Sequence, residues 1–232
     1  MLEDKDLLSI QEVRTKVDKA YAASLKYREY SQEQVDSIVE RMAAAARANA
    51  RRLADLAVEE TGYGNAKDKY VKNLLCCDWL PRRMRGMKTV GILRELPEQK
   101  MVEIGVPVGV VAAILPTTNP TSTAMYKILI SLKAGNAIVV SPHPRAHKCT
   151  CETAALMYQA ALEAGGAAQA GSAPWCAKAP RRGRARRWKC ERWCEELRRF
   201  ADPHRPFDKS ITAFRLFNHG NRRSKHAHSI SL

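Results

Sequence analysis

The side chains of this 232-residue chain that could do chemistry fall in two loops and a tail. The first loop is Pro116-Thr117-Thr118-Asn119-Pro120, whose Asn119 carboxamide can both donate and accept hydrogen bonds. Directly before a proline, Asn119 suits a helix N-cap, its side-chain oxygen accepting from a first-turn N–H. The second loop is Ser141-Pro142-His143-Pro144-Arg145, where His143 has no ligand or base partner in view and reads as a surface residue. In the tail, Cys190-x-x-x-Cys194 with His204, His219, His226 and His228 could be taken for a zinc site, but the spacing lacks the compactness of known modules. No metal site is expected.

The two loops are placed by a strand–loop–helix–strand pattern. Val108 to Leu115 is an apolar, β-branched run without polar alternation, as expected of a strand covered on both faces. Pro116 stops it, and Pro120 suits the first position of a helix. That helix runs to Lys133 with Met125, Ile128, Leu129 and Leu132 on its buried stripe. Gly135-Asn136 ends it, and Ala137 to Val140 begins the next strand. The pattern is the βαβ unit from which nucleotide-binding sheets are built.

Upstream, Ser9 with Glu12 and Ser31 with Gln34 are capping-box pairs that should each open a helix. The second helix reads as one long element ending near Gly62-Tyr63-Gly64, and a third spans about Ala66 to Leu80, broken by Pro81. Arg82 to Lys88 is a basic turn, read as a solvated face, with dinucleotide phosphate binding as the minority reading. Thr89 to Glu95 and Lys100 to Ile104 look like two strands around Pro97-Glu98-Gln99, and Lys148 to Ala164 like a last helix.

Pro116 to Thr123 (PTTNPTST) and Ser141 to Arg145 (SPHPR) resemble the aldehyde dehydrogenase superfamily, in particular its CoA-acylating branch of acetaldehyde and propionaldehyde dehydrogenases, which includes the front half of the bifunctional aldehyde–alcohol dehydrogenases. Leu7 to Val13 (LLSIQEV) and Tyr30 to Gln34 (YSQEQ) carry the same resemblance, which covers about residues 5 to 165. It implies an α/β fold: an incomplete Rossmann-like NAD-binding domain over residues 1–165, preceded by helices. It also implies NAD-dependent oxidation of a short aldehyde, acetaldehyde or propionaldehyde, to its acyl-CoA, and the reverse. In that chemistry a cysteine thiolate attacks the aldehyde, hydride leaves for the nicotinamide, and the thioester passes to CoA.

The resemblance carries roles to few positions. Asn119 matches the loop asparagine that donates its amide to the developing oxyanion. Backbone around Ile114, Leu115, Pro116 and Thr117 would line the nicotinamide side of the cleft, and Ser141, Pro142 and His143 would lie beside the adenosine ribose. Most of the superfamily has a ribose-binding lysine where Ser141 falls; serine is usual in the acylating branch, and NAD against NADP stays open. Full-length relatives self-associate, so a homo-oligomer is the expected state of the whole enzyme.

Composition bounds the remaining possibilities. The net charge is +15, of which +11 falls on residues 166–232. No apolar run reaches the roughly 18 residues that a membrane-spanning helix needs, and the acidic start MLEDKDLLSIQ is no secretory signal. With an odd count of seven cysteines, Cys76 and Cys77 adjacent and the others scattered, the expectation is reduced thiols and a cytoplasmic protein.

At Gly165-Gly166 the texture changes. The chain becomes rich in arginine and tryptophan, and the family pattern does not return. A reading frame that slipped near codon 165 and a divergent tail are both consistent with this. The expected consequence is that the nucleophilic cysteine and the general-base glutamate of the family lie outside this chain, which would be inactive alone, and that the tail is disordered apart from a helical turn or two over Glu191 to Phe200. The alternative is a non-catalytic protein whose tail, with Arg181 to Arg187 and Trp175, Trp188 and Trp193, binds nucleic acid; nonspecific, salt-sensitive adhesion to polyanions is expected of any such charge.

Overall fold

The structure of the protein, a computed structural model, describes residues 5–166. Four helical segments come first: α1 (Lys5–Tyr27), α2 (Gln32–Ala48), α3 (Ala50–Thr61) and α4 (Ala66–Leu74), the last continued by a π-turn (Leu75–Trp79) into α5 (Leu80–Met84). A hairpin of β1 (Gly91–Leu96) and β2 (Met101–Gly105) comes next. The βαβ unit is then formed by β3 (Val110–Ile114), α6 (Pro120–Lys133) and β4 (Ala137–Ser141), and α7 (His147–Glu163) closes the described chain.

The parallel pair β3–β4 has helices on both faces, which explains its uninterrupted apolar sequence. Because successive strand residues point to opposite sides, Val111 and Ala113 with Ile138 and Val140 join the main core beside α2, α6 and α7. Val110, Ala112 and Val139 pack instead on Val13, Val17 and Ala20 of α1. The α/β class and the βαβ unit expected from the sequence are both present, and α6 has the bounds expected of it.

The turn that launches β4 is closed on all sides. Gly135, with φ +75°, ends α6; its N–H donates to the Leu132 carbonyl and that of Asn136 to the Ser131 carbonyl, the paired bonds of a Schellman turn. The Asn136 side chain then accepts from the Gly109 N–H at 3.0 Å, which sets the register at which β4 joins β3.

Three expectations need correction. Helix α1 starts at Lys5, not at a Ser9 cap, because no breaker separates Lys5-Asp6-Leu7-Leu8 from the helical residues after them. The helix expected from Ser31 to Gly62 divides at Asn49 (φ −105°, ψ 6°), whose side chain donates to the Ala45 carbonyl at 3.0 Å and so competes with the helical ladder. Ser31 itself does form a capping box with Gln34. Pro81 does not end the third helix either. The Leu80 N–H bonds the Leu75 carbonyl in a π-turn just ahead of it, and this wider turn accommodates a residue that has no N–H and whose ring would clash with a regular helix.

The basic turn after Met84 is exposed, with Arg82 paired to Asp78 and Arg85 to Glu40, in keeping with a solvated face. These arginines, with Glu40, Arg47, Cys77 and Asp78, border a cavity of about 190 Å³, and none of the expected site residues lines it. Cys76, Cys77 and Cys149 are free thiols. The zinc, nucleic-acid, helix and disorder expectations for the tail fall outside the described residues.

Candidate active site

The parallel register puts Ile114 opposite Ser141, so the two loops singled out by sequence leave the sheet side by side at its carboxyl edge. The ladder continues one step beyond the strands, with the Leu115 N–H donating to the Ser141 carbonyl at 3.0 Å. Ligands of open parallel sheets bind outside this edge. Leu115 and Pro142 are buried here, Ile114, Thr117, Ser141 and His143 half-buried, and Pro116 exposed. Lys127, on α6, donates its ammonium to the Ile114 carbonyl at 2.8 Å, and burial lowers its pKa. One carbonyl of the edge is thereby satisfied within the protein.

Asn119 occupies the residue before α6, yet its side chain makes no capping bond to that helix. Its Oδ1 instead accepts from the Lys72 ammonium at 3.1 Å. A forgone cap is worth about 1 kcal/mol of helix stability, so the local geometry is set by something other than helix economy. The setting element is α4. Lys69, Lys72 and Asn73 lie at i, i+3 and i+4 on one face of it, the spacing at which helical side chains are neighbours. Lys69 is 4% exposed and donates to the Thr118 carbonyl at 2.7 Å. Asn73 accepts from the Thr121 hydroxyl at 2.9 Å and donates to the Ala50 carbonyl at 2.9 Å. Loop residues 118, 119 and 121 are thus each tied to α4. Burial first, and then the neighbouring Lys72 charge, lower the Lys69 pKa.

The second loop is held at the start of α7. The backbone N–H groups of Lys148 and Cys149, two donors a helix leaves unpaired at its start, both donate to the Glu60 carboxylate of α3, each at 2.7 Å. His143 Nδ1 accepts from the Arg145 N–H at 3.1 Å, closing a tight turn, and Arg145 lies 5.6 Å from the centroid of Tyr63. The ring of His143 is therefore engaged within its own loop.

Nothing among the free thiols of the described residues is activated. Burial pushes Cys76 and Cys77 up to about 11. Burial, with the Glu60 carboxylate second, pushes Cys149 up to about 12. All three are thiols at neutral pH, whereas a nucleophile must be a thiolate. Among the described residues there is also no group of three His, Cys, Asp or Glu side chains able to hold a metal, and no helix is long and apolar enough to cross a membrane.

Residues 6–168 match the aldehyde dehydrogenase family. The chain belongs to that family. It is 43% identical over 158 residues to the bifunctional aldehyde–alcohol dehydrogenase of Escherichia coli K12, a match spanning 68% of this chain and 18% of that one. It superimposes on an acetylating aldehyde dehydrogenase from Geobacillus thermoglucosidasius with a TM-score of 0.72 and 49% identity, over 78% of this chain and 39% of that one. A propionaldehyde dehydrogenase from Rhodopseudomonas palustris, solved with bound CoA and an acylated cysteine, matches with a TM-score of 0.55 and 29% identity, over 66% of this chain and 34–35% of that chain in two of its structures. The relatives are thus acetylating and acylating members of the aldehyde dehydrogenase family, and the chain spans less than half the length of each.

Among the described residues the Thr117 and Ser141 hydroxyls and the Asn119 Nδ2 make no hydrogen bond to the protein. Sequence reasoning found these residues but missed Lys69, Lys72, Asn73 and Glu60. The i, i+3, i+4 polar stripe of α4 was a visible signal. Its target was not, because the bonds to Thr118 and Asn119 join positions 49 and 47 residues apart.

Proposed function

We propose that this chain forms the cofactor edge and the oxyanion donor of an NAD-dependent, CoA-acylating aldehyde dehydrogenase. The reaction is aldehyde, CoA and NAD giving acyl-CoA and NADH, and its reverse, with acetaldehyde or propionaldehyde as substrate. The observation that carries the reading is Asn119: it stands at the start of α6 without capping it, its oxygen taken by Lys72 and its NH₂ left open.

Each residue then has a task. Asn119 Nδ2 donates to the oxygen of the aldehyde as negative charge develops there, and removing such a donor lowers rates by about 10²–10³. The backbone of residues 114–117 would lie against a bound nicotinamide, which would supply the hydride acceptor. Ser141, Pro142 and His143 would flank the adenosine ribose, with the Ser141 hydroxyl as hydrogen-bonding group; a short hydroxyl in that place would admit NADP as well as NAD. The thiolate is assigned to residues other than Cys76, Cys77 and Cys149, because burial raises all three thiols and so disfavours the thiolate a nucleophile needs. The family match ending at residue 168, beside the change of texture at Gly165, supports residues 1–165 as the native part of the cofactor domain.

The test is an assay of the purified 232-residue chain with acetaldehyde, CoA and NAD, beside a direct nucleotide-binding measurement. Weak nucleotide binding without NADH formation is expected. Measurable turnover would refute the assignment of the nucleophile to another part of the enzyme.

A further inference from the structure

The carboxamide of Asn119 presents a choice that its covalent structure does not make. Its two ends are nearly the same size, but one only accepts hydrogen bonds and the other only donates. An oxyanion donor must meet substrate with nitrogen; turned over, it would set an oxygen against a developing negative charge. We propose that Lys72 is the positioning residue that makes this choice, a role that rests on the oxyanion reading of Asn119.

A lysine ammonium has three donors and no acceptor. At 3.1 Å from the Asn119 side chain it can pair only with Oδ1, so Nδ2 is the end left outward. The orientation is dictated by the chemistry of the partner. A helix N-cap would also engage Oδ1, but Asn119 makes no such bond, and the ammonium takes the place of the first-turn N–H. The charge adds a second effect, since an amide whose oxygen accepts from a cation carries more positive N–H groups and donates more strongly.

Lys72 can hold this position because its helix and the loop are fixed to each other on both sides of it. Lys69 donates to the Thr118 carbonyl, and Asn73, fully buried, bonds the Thr121 hydroxyl. Lys72 itself is exposed, which suits a side chain at the mouth of a site and makes it removable without opening the core. The anchoring pair and the orienting residue are thus separate: Lys69 and Asn73 hold the loop, while Lys72 turns the amide.

The experiment is the side-chain NH₂ resonance of Asn119 in the ¹⁵N-labelled 232-residue chain, assigned by its disappearance in Asn119→Asp. In the unsubstituted chain the pair should be displaced from free-asparagine positions, and exchange between its two protons by C–N rotation should be slow, because the charge-assisted bond strengthens the C–N double-bond character. Lys72→Met should return both to free-asparagine behaviour, and Lys72→Arg should restore the displacement. The melting temperatures of both variants should stay within a degree or two of the parent, as expected of an exposed site. An Asn119 signal unchanged in a folded Lys72→Met chain would overturn the proposal, as would its loss in Lys72→Arg. Adding NAD to the same samples examines the dehydrogenase reading separately: shifts at Thr117 and Ser141 report the nucleotide, and their absence would count against that reading while leaving the role of Lys72 standing.

Discussion

Ser141 lies opposite Ile114 in the parallel ladder, and its carbonyl also takes the amide of Leu115, so the loops after β3 and β4 start from one shared set of backbone bonds. A change that disturbs either loop should therefore be felt in the other. Replacing Ser141 with proline leaves its carbonyl bond to Leu115 possible but removes its own N–H. It should perturb the backbone amide shifts of residues 115–117, an effect that Ser141→Ala should not reproduce.

Two residues placed directly before helices have opposite energetic roles. Ser31 caps α2 with a full capping box, and Ser31→Ala should destabilise the chain by about 1 kcal/mol. Asn119 makes no capping bond, and Asn119→Ala should stay within about 0.5 kcal/mol of the parent. Urea unfolding midpoints compare the two directly; equal losses would show Asn119 to be a structural cap after all.

Glu60 serves the N-terminus of α7 through both carboxylate oxygens. Glu60→Ala leaves the amides of Lys148 and Cys149 without that partner and should cost about 1–3 kcal/mol. The same change removes a negative charge beside Cys149, so its pKa should fall from about 12 while staying above the ordinary value of 9.0, because burial is the larger cause. The ultraviolet thiolate absorbance lost in Cys149→Ala, followed against pH with and without Glu60→Ala, measures this, and an unchanged profile would be contrary to the assignment.

Alkaline stability has a definite sign. The thiol pKa values of Cys76 and Cys77 are raised on folding from 9.0 to about 11, so the folded state keeps protons that the unfolded chain releases first. Their contribution is complete below pH 9.0 and is lost as pH rises from there through about 11. Cys76→Ala should accordingly flatten the decline of unfolding free energy above pH 9.0 relative to the parent, with no difference in slope below it.

The β1–β2 hairpin and the residue after it expose Ile92, Met101, Val102, Ile104 and Val106, a run of apolar side chains on strands with open edges. Such a surface promotes association. The chain should self-associate with rising concentration in sedimentation experiments, and Ile104→Lys should reduce this without lowering the melting temperature.

How legible each feature is in the sequence depends on the range of the interactions that make it. The β3–α6–β4 unit was readable because its signals are local: a β-branched run, a proline at the first turn of α6, and a Gly-Asn stop at Gly135-Asn136. The division at Asn49 was hidden within an unbroken apolar stripe, since Val35 to Ala57 keeps helical spacing across it while the side chain of Asn49 turns back on Ala45. Pro81 misled for a related reason: proline usually ends a helix, and the π-turn ahead of it cannot be foreseen from composition. Loop residues could be found by resemblance to an enzyme family, but their supports could not. Glu60 reaches α7 across 88 residues, and Lys72 reaches Asn119 across 47, so both depended on the packing of α3 and α4.

The central claim is that the edge bearing residues 114–119 and 141–143 receives a nicotinamide dinucleotide. Titration of NAD into the ¹⁵N-labelled chain, read at the backbone amides of Leu115, Thr117, Ser141 and His143, tests it most directly. The account predicts saturable shifts confined to these loops, weakened by Ser141→Asp. Shifts absent at millimolar nucleotide, or centred on the arginines around Asp78 instead, would contradict it.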